Sequence, residues 1–340
     1  MIKTDNIFTI NLSDQWTNGI GLAIKLLVFG LLSYVIYDQI LVRENISELV
    51  TTFKISMQNS NPLWLLLCVL LMPLNWFLEA KKWQLLSRNF EAQTLVQAIK
   101  TILGGLVFSL FTPARVGEYG GRILFVKPEN NWKAAAATLV GSLSQMIIVL
   151  CLGGFGLIFL SQHIELLGDF SRLAAIFLCL GMICLGLFFF FNIDILVNLL
   201  KRIKFLTRFK GLVKAIKVVK QYSRLVLLKA IQISFLRYMV YSLQYLSLLY
   251  FFGIAVPVVS AAAGISGIFF IQTGIPLPPI WDLLARGEVA IQIWGIFEAN
   301  KLSILAATFC LWVINLILPS LLGMCFVVKI NVLKSIGYGK

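Results

Sequence analysis

Long apolar runs alternate with short polar joints along most of the chain, and their lengths predict helices that cross a bilayer. A helix rises about 1.5 Å per residue, so about twenty apolar residues cover a hydrocarbon core of roughly 30 Å. Runs of that kind occupy residues 19–42, 62–80, 134–160, 173–191, 230–253 and 302–328, which predicts six full spans. Two other apolar stretches do not read as simple spans. Residues 92–127 are broken at Pro113 and residues 256–299 at Pro276, Pro278 and Pro279, and charged residues follow each break. Proline has no backbone N–H and clashes with the preceding turn, so a helix must stop or bend there and its freed carbonyls need partners. A full crossing by residues 95–111 would put Arg115, Arg122, Lys127 and Lys133 on the outer side, against the positive-inside bias. A hairpin that enters and leaves on one side is expected instead.

The order of span, broken hairpin and span occurs twice, at residues 62–160 and 230–328. An odd number of crossings separates the copies, so they have opposite orientation. Oppositely oriented repeats with discontinuous helices are the pattern of transporters that alternate access to a central site. The expected fold is therefore an all-α polytopic membrane protein, with about six full spans plus two proline-broken re-entrant hairpins in inverted repeats. One transmembrane domain, 19–328, lies between tails at 1–18 and 329–340. Between the copies, residues 195–229 are rich in lysine and arginine. Phe205, Phe209, Leu212 and Ile216 fall on one helical stripe and Lys210, Lys214 and Lys217 on another, as in a helix lying on an anionic leaflet. Basic span ends at Lys81, Lys82 and Arg88, and again at Lys329 and Lys334, place both termini in the cytoplasm of a protein of the cell membrane.

Composition removes other classes. Hydrophobic residues make up 59% of the 340 and charged residues 13%, with mean hydropathy +0.89, which excludes a soluble enzyme. The net charge of +14 follows the loops of a membrane protein, so the bilayer, and not nucleic acid, is its partner. All six cysteines fall in apolar runs without a C-x-x-C pair, and His163 is the only histidine. No metal site and no cofactor are expected. The absence of G-x-x-x-x-G-K-[ST] argues against ATP-driven pumping by this chain.

The candidate chemistry lies in Thr112-Pro113-Ala114-Arg115-Val116-Gly117-Glu118-Tyr119-Gly120-Gly121-Arg122. If a helix restarts after the break, Arg115, Glu118 and Arg122 stand at i, i+3 and i+7 on one face. Two guanidinium groups around one carboxylate form a positive fork suited to a phosphate or carboxylate. The alternative is a self-neutralised triad at the membrane edge. Charges at membrane depth cost about 3 kcal/mol each, which favours a use for them. Past the second break, Asp282 and Arg286 can pair at i, i+4, while Glu288 points elsewhere. Arg237 and Glu79 are further charges inside spans. Pro113, Gly117, Pro276 and Pro278 are the expected hinges.

With Gly104-Gly105 before it and Arg122 after it, the segment Thr112-Pro113-Ala114-Arg115-Val116-Gly117-Glu118 resembles the signature of the lysylphosphatidylglycerol synthase/flippase transmembrane family. Pro278-Pro279 and Arg286-Gly287-Glu288 resemble a degenerate form of that family's second element, with Pro279-Ile280-Trp281-Asp282 in place of its Pro-Gly-Gly run. The resemblance implies a stand-alone flippase or transporter, without the soluble aminoacyl-transferase domain, that moves an anionic lipid or lipid-linked intermediate between leaflets. Arg115, Glu118, Arg122, Arg286, Glu288, Asp282, Arg237 and Glu79 would bind substrate. A membrane-embedded transferase acting on a lipid-linked substrate is the alternative, although no D-x-D and no nucleophile beside a base stand near Glu118. Self-association into a homo-oligomer stays open.

Overall fold

The structure is a computed structural model that describes residues 14–37, 46–161, 169–192, 195, 219–278 and 282–337. Among the described residues it is helical, with no strand. In chain order the helices are α1 (Asp14–Ile36), α2 (Ile46–Asn59), α3 (Leu63–Ser87), α4 (Leu95–Ser109), α5 (Gly117–Ile123) and α6 (Asn131–Leu160). They continue as α7 (Asp169–Phe191), α8 (Arg224–Phe251), α9 (Val258–Thr273), α10 (Asp282–Gly295), α11 (Lys301–Val327) and α12 (Val332–Ile336). Four of these, α3, α6 (with the turn before it), α8 and α11, are long and apolar enough to cross a membrane; α4, α9 and parts of α1 and α7 are shorter apolar helices. Most of the expected surface helix at 195–229, the loop of His163 and the first 13 residues lie outside the described residues.

Local chemistry explains the ends. The polar start of α4 is a capping box: Gln97 N–H donates to Thr94 Oγ1, and Thr94 N–H donates to Gln97 Oε1 at 2.8 Å. Ser223 caps α8 and Asn300 caps α11. α4 then breaks at Thr112, as Pro113 requires, and α5 folds back on it. That crossing depends on small residues: a Cβ on Gly121 would lie 2.6 Å from Gly105 Cα. α9 and α10 repeat the plan, separated by a segment carrying Pro276 and Pro278.

α3 and α8 pack along their length in antiparallel register, with Trp64 beside Tyr250, Gln244 bonded to the Cys68 carbonyl at 2.9 Å and Arg237 bonded to Asn75. The pairing extends past the ends of both helices' apolar parts. Tyr222 donates to the Leu86 carbonyl at 2.7 Å, and burial pushes its phenol pKa up. α4 packs on α11, where a Cβ on Gly323 would stand 2.2 Å from the Leu103 carbonyl oxygen, and α9 packs on α6 through Gly153 and Gly156. Near the end of α11, Lys25 of α1 donates to the Val328 carbonyl at 2.7 Å, placing a cation at a helix C-terminus.

The structure shifts the reading of α3. The sequence pattern ends the second apolar run at residue 80 and counts Lys82 among its terminal cations. The helix instead continues to Ser87, and Lys82 is buried inside the bundle.

Candidate functional site

Charges that should be rare in an apolar interior converge on one carboxylate. Glu79, in the last third of α3, is met by Lys82 one turn later at 2.8 Å, by Arg122 of α5 at 2.9 Å and by Arg237 of α8 at 3.3 Å. Lys82 and Arg122 are 2% and 3% exposed. Arg122 also pairs with Glu118, at i, i+4 on α5. Glu118 and Arg237 are the more open members, with side chains 16% and 18% exposed. Glu79 Oε1 accepts a hydrogen bond from Arg122, and Oε2 is in ion-pair contact with Lys82 and Arg237.

Neutral groups fix the cations. Arg237 Nε donates to Asn75 Oδ1 at 2.9 Å, and Asn75 Nδ2 donates to Asn315 Oδ1 at 3.0 Å. Asn315 lies in the π-helical turn Val313–Ile317, and such turns recur at functional positions. Arg237 also lies at 3.4 Å from Gln145 Oε1. Each guanidinium packs against an indole, Arg122 on Trp83 at 5.3 Å and Arg237 on Trp76 at 5.5 Å. Lys82 reaches Ser234 Oγ at 3.4 Å, and Ser234 contacts Ser144 Oγ at 2.9 Å. Gly105 leaves room for this packing, since a Cβ there would meet Arg122 Cγ at 2.8 Å.

Three cations, Lys82, Arg122 and Arg237, thus face two carboxylates, Glu79 and Glu118. Arg115 is close enough to act on Glu118 electrostatically. Buried donors are left over: Arg122 Nε, Arg115 Nε and Trp76 Nε1 have no hydrogen-bond partner.

The structure brings Glu79, Glu118, Arg122 and Arg237 together, with Arg115 at the rim. One expectation needs correcting. Arg115 does not share a helical face with Glu118 and Arg122, because Ala114 and Arg115 take φ of 50° and 57° in a tight turn and α5 starts only at Gly117. Left-handed backbone costs a residue with a Cβ roughly 1–2 kcal/mol. The break is therefore a sharp corner that holds Arg115, and the helix restarts only past it, at Gly117. Thr112 Oγ1 holds the corner by accepting from Gly117 N–H at 2.6 Å.

Asp282, Arg286 and Glu288 lie elsewhere. The side chain of Asp282 is outside the described residues. Arg286 stands near Tyr245, in a cluster where Tyr245 meets Thr308 at 3.0 Å and accepts from Trp294 at 3.2 Å. Glu288 is exposed and accepts from Gln292 at 2.9 Å. Pro113 and Pro276 are exposed at their breaks and Pro278 is half-buried.

Lys82, Asn75, Gln145, Ser234 and the two tryptophans are missed by the sequence reading. Only Lys82 carried a usable signal, the Glu79-to-Lys82 spacing of one turn. Among the described residues no cluster of His, Cys, Asp and Glu could hold a metal ion.

No curated protein and no solved structure matches the chain. The lysylphosphatidylglycerol synthase TM region does, over residues 22–323. With apolar helices among the described residues of that range and a charged cluster enclosed among them, the chain belongs to this family and is a multi-pass membrane protein.

Proposed function

We propose that the protein moves an anionic lipid or lipid-linked intermediate between the leaflets of the cell membrane, binding its head group at the Arg122 cluster. The observation that carries this reading is the cluster's surplus: one more cation than carboxylate, with Arg115 beside it, and unpartnered buried N–H groups on Arg122, Arg115 and Trp76. Buried donors find acceptors in native structures. A phosphate or carboxylate head group offers acceptors and negative charge together. Arg237 and Glu118, the less buried members, are where such a group would first make contact.

In this reading the chain has about six spans, both termini cytoplasmic, and residues 92–127 and 256–299 are re-entrant hairpins of two inverted repeats. The packing supports it. α3 and α8, which open the two copies, lie antiparallel, and each hairpin packs on the closing span of the other copy, α4 on α11 and α9 on α6. A two-fold axis in the membrane plane generates that exchange. Pro113, Gly117, Pro276 and Pro278 would then bound the moving parts, with Asp282, Arg286 and Glu288 serving the other half of the cycle.

The transferase alternative would draw on Lys82, Ser234 and Ser144. Its weakness is proton accounting. Ser144 donates to the Gly141 carbonyl at 2.7 Å, so the Ser234 proton goes to Ser144, and Lys82, paired with Glu79, stays a donor rather than a base.

Mass spectrometry of lipids co-purified with the wild type and with Arg115→Ala tests the translocase reading, because Arg115 has no ion pair among the described ones and its loss should spare the fold. One acidic lipid class enriched by the wild type and depleted in the variant is expected. Equal enrichment in both, or none in either, would overturn head-group binding at this cluster.

A further inference from the structure

The two carboxylates that hold Arg122 are not held alike. Glu79 is anchored by Lys82, Arg122 and Arg237 together, and lies at the bottom of the cluster. Glu118 has one ion-pair partner, Arg122, and is the more open of the two. Arg122 spends a single terminal nitrogen, Nη2, on both carboxylates, while its Nε has no partner. An incoming anion that competes for Arg122 therefore displaces Glu118 and leaves Glu79 in place. Glu118 also sits on the short helix α5, behind the corner at Ala114 and Arg115, so it belongs to the segment best placed to shift.

The charged groups around Glu118 are Arg122 on its own helix, Arg115 in the preceding turn, Glu79 of α3 and Arg237 of α8. Tyr119 is its titratable neighbour on α5. Other helices packed on α5 keep their charges elsewhere: Lys100 of α4 lies over Phe326, and Lys133 of α6 is bonded to Asn130. Once a ligand's negative charge occupies Arg122, Glu118 loses its direct ion-pair partner and faces that charge and Glu79, with Arg115 and Arg237 acting on it only from beyond ion-pair distance. A carboxylate in such a place is neutral at lower cost than it is charged.

We propose that Glu118 is a proton carrier, so that an acidic head group binds Arg122 in exchange for Glu118, which takes up one proton from solution. The inference rests on the head-group reading above. Charge balances: an anion enters, a carboxylate is neutralised by a proton, and the cluster keeps its net charge. No covalent bond forms or breaks apart from the carboxyl O–H. Transport built on this exchange couples movement of the lipid to the proton gradient, with the anion and the proton travelling together.

The test is titration calorimetry of the purified protein in detergent with short-chain phosphatidylglycerol, a phosphodiester that does not itself titrate near neutrality. Heats compared across buffers of different ionisation enthalpy count the protons taken up. About one proton per bound lipid is expected for the wild type, with affinity falling about tenfold per unit rise in pH. Glu118→Gln, which keeps an acceptor for Arg122, should bind with no proton uptake and no such pH dependence. Wild-type binding without proton uptake overturns the proton-carrier role and leaves the head-group reading intact. Uptake that persists in Glu118→Gln assigns the proton to another group and overturns it as well. Failure of the wild type to bind any acidic lipid overturns both.

Discussion

The first hairpin carries Glu118 and Arg122 into a cluster with Glu79, Lys82 and Arg237, whereas the second meets the core through Leu283, Ala290 and Trp294 and leaves Glu288 in solvent. Both are helix, proline break and helix, and both pack on the far half of the molecule. What differs is the wall opposite. α3 and α8 offer charges and amides around α5, while α10 sets Trp294, with Arg286 nearby, against Tyr245, which in turn meets Thr308 and Phe269. One plan has therefore been fitted with a charged interior on one side and an aromatic one on the other. The proposed head-group site falls in the first, where several cations are already desolvated in each other's company.

The largest expected effect comes from removing the shared anchor. Glu79→Gln leaves Lys82, Arg122 and Arg237 buried around a neutral group, and breaking a buried pair from one side costs about 3–5 kcal/mol. Thermal unfolding in detergent should drop sharply, or the protein should fail to accumulate. A near-wild-type melting temperature would mean that the cluster is wetter and looser than its burial implies.

Next in size is the corner of the first hairpin. A Cβ at Gly117 would lie 2.1 Å from the Phe108 carbonyl oxygen, a backbone atom that cannot step aside. Gly117→Ala should cost about 1–3 kcal/mol. Gly287→Ala in the second hairpin meets only the end of the Leu305 side chain, at 2.9 Å, and should cost less. Unfolding measured on the pair separates a hairpin with a rigid corner from one with a yielding contact; equal losses would erase that distinction.

Asn75→Ala is a smaller step. It takes the Arg237 Nε partner and the link to Asn315, which should cost about 1–3 kcal/mol and loosen Arg237 without removing charge. Lipid retention should fall while unfolding shifts only moderately. If retention is untouched, Arg237 is held by Glu79 and Gln145 alone.

Much of this site could be read from the chain before folding. Glu79, Glu118, Arg122 and Arg237 stand out because charges inside apolar runs are expensive and few. Lys82 was lost because it follows Lys81 at what looks like a span end, and periodicity does not say where a helix stops. Asn75, Gln145, Ser234 and Asn315 carry no signal of their own, since isolated neutral polar residues in spans commonly bond their own helix. Their roles exist only through the antiparallel register of α3 and α8. The misplacement of Arg115 has a different cause: left-handed φ at Ala114 and Arg115 is a conformation that neither residue prefers, imposed by the tertiary fold. The helix–break–helix plan was legible because proline acts locally, but which side chains each hairpin buries depends on its partner helices.

The smallest effect is expected at Glu288. Its carboxylate is exposed and bonded to Gln292 on the same helix, so Glu288→Gln should change stability by about 0.5 kcal/mol or less. Retention of acidic lipid and translocation in reconstituted vesicles should both match the wild type if the second hairpin only frames the path. The informative failure is unfolding unchanged with translocation reduced. Glu288 would then act in a conformation in which α10 has turned toward the substrate, and the difference between the hairpins would be one between two states of a cycle rather than between two halves of the molecule. Arg286→Gln, measured alongside, locates the effect: a matching loss would assign both charged residues of α10 to the opposite end of the same lipid path.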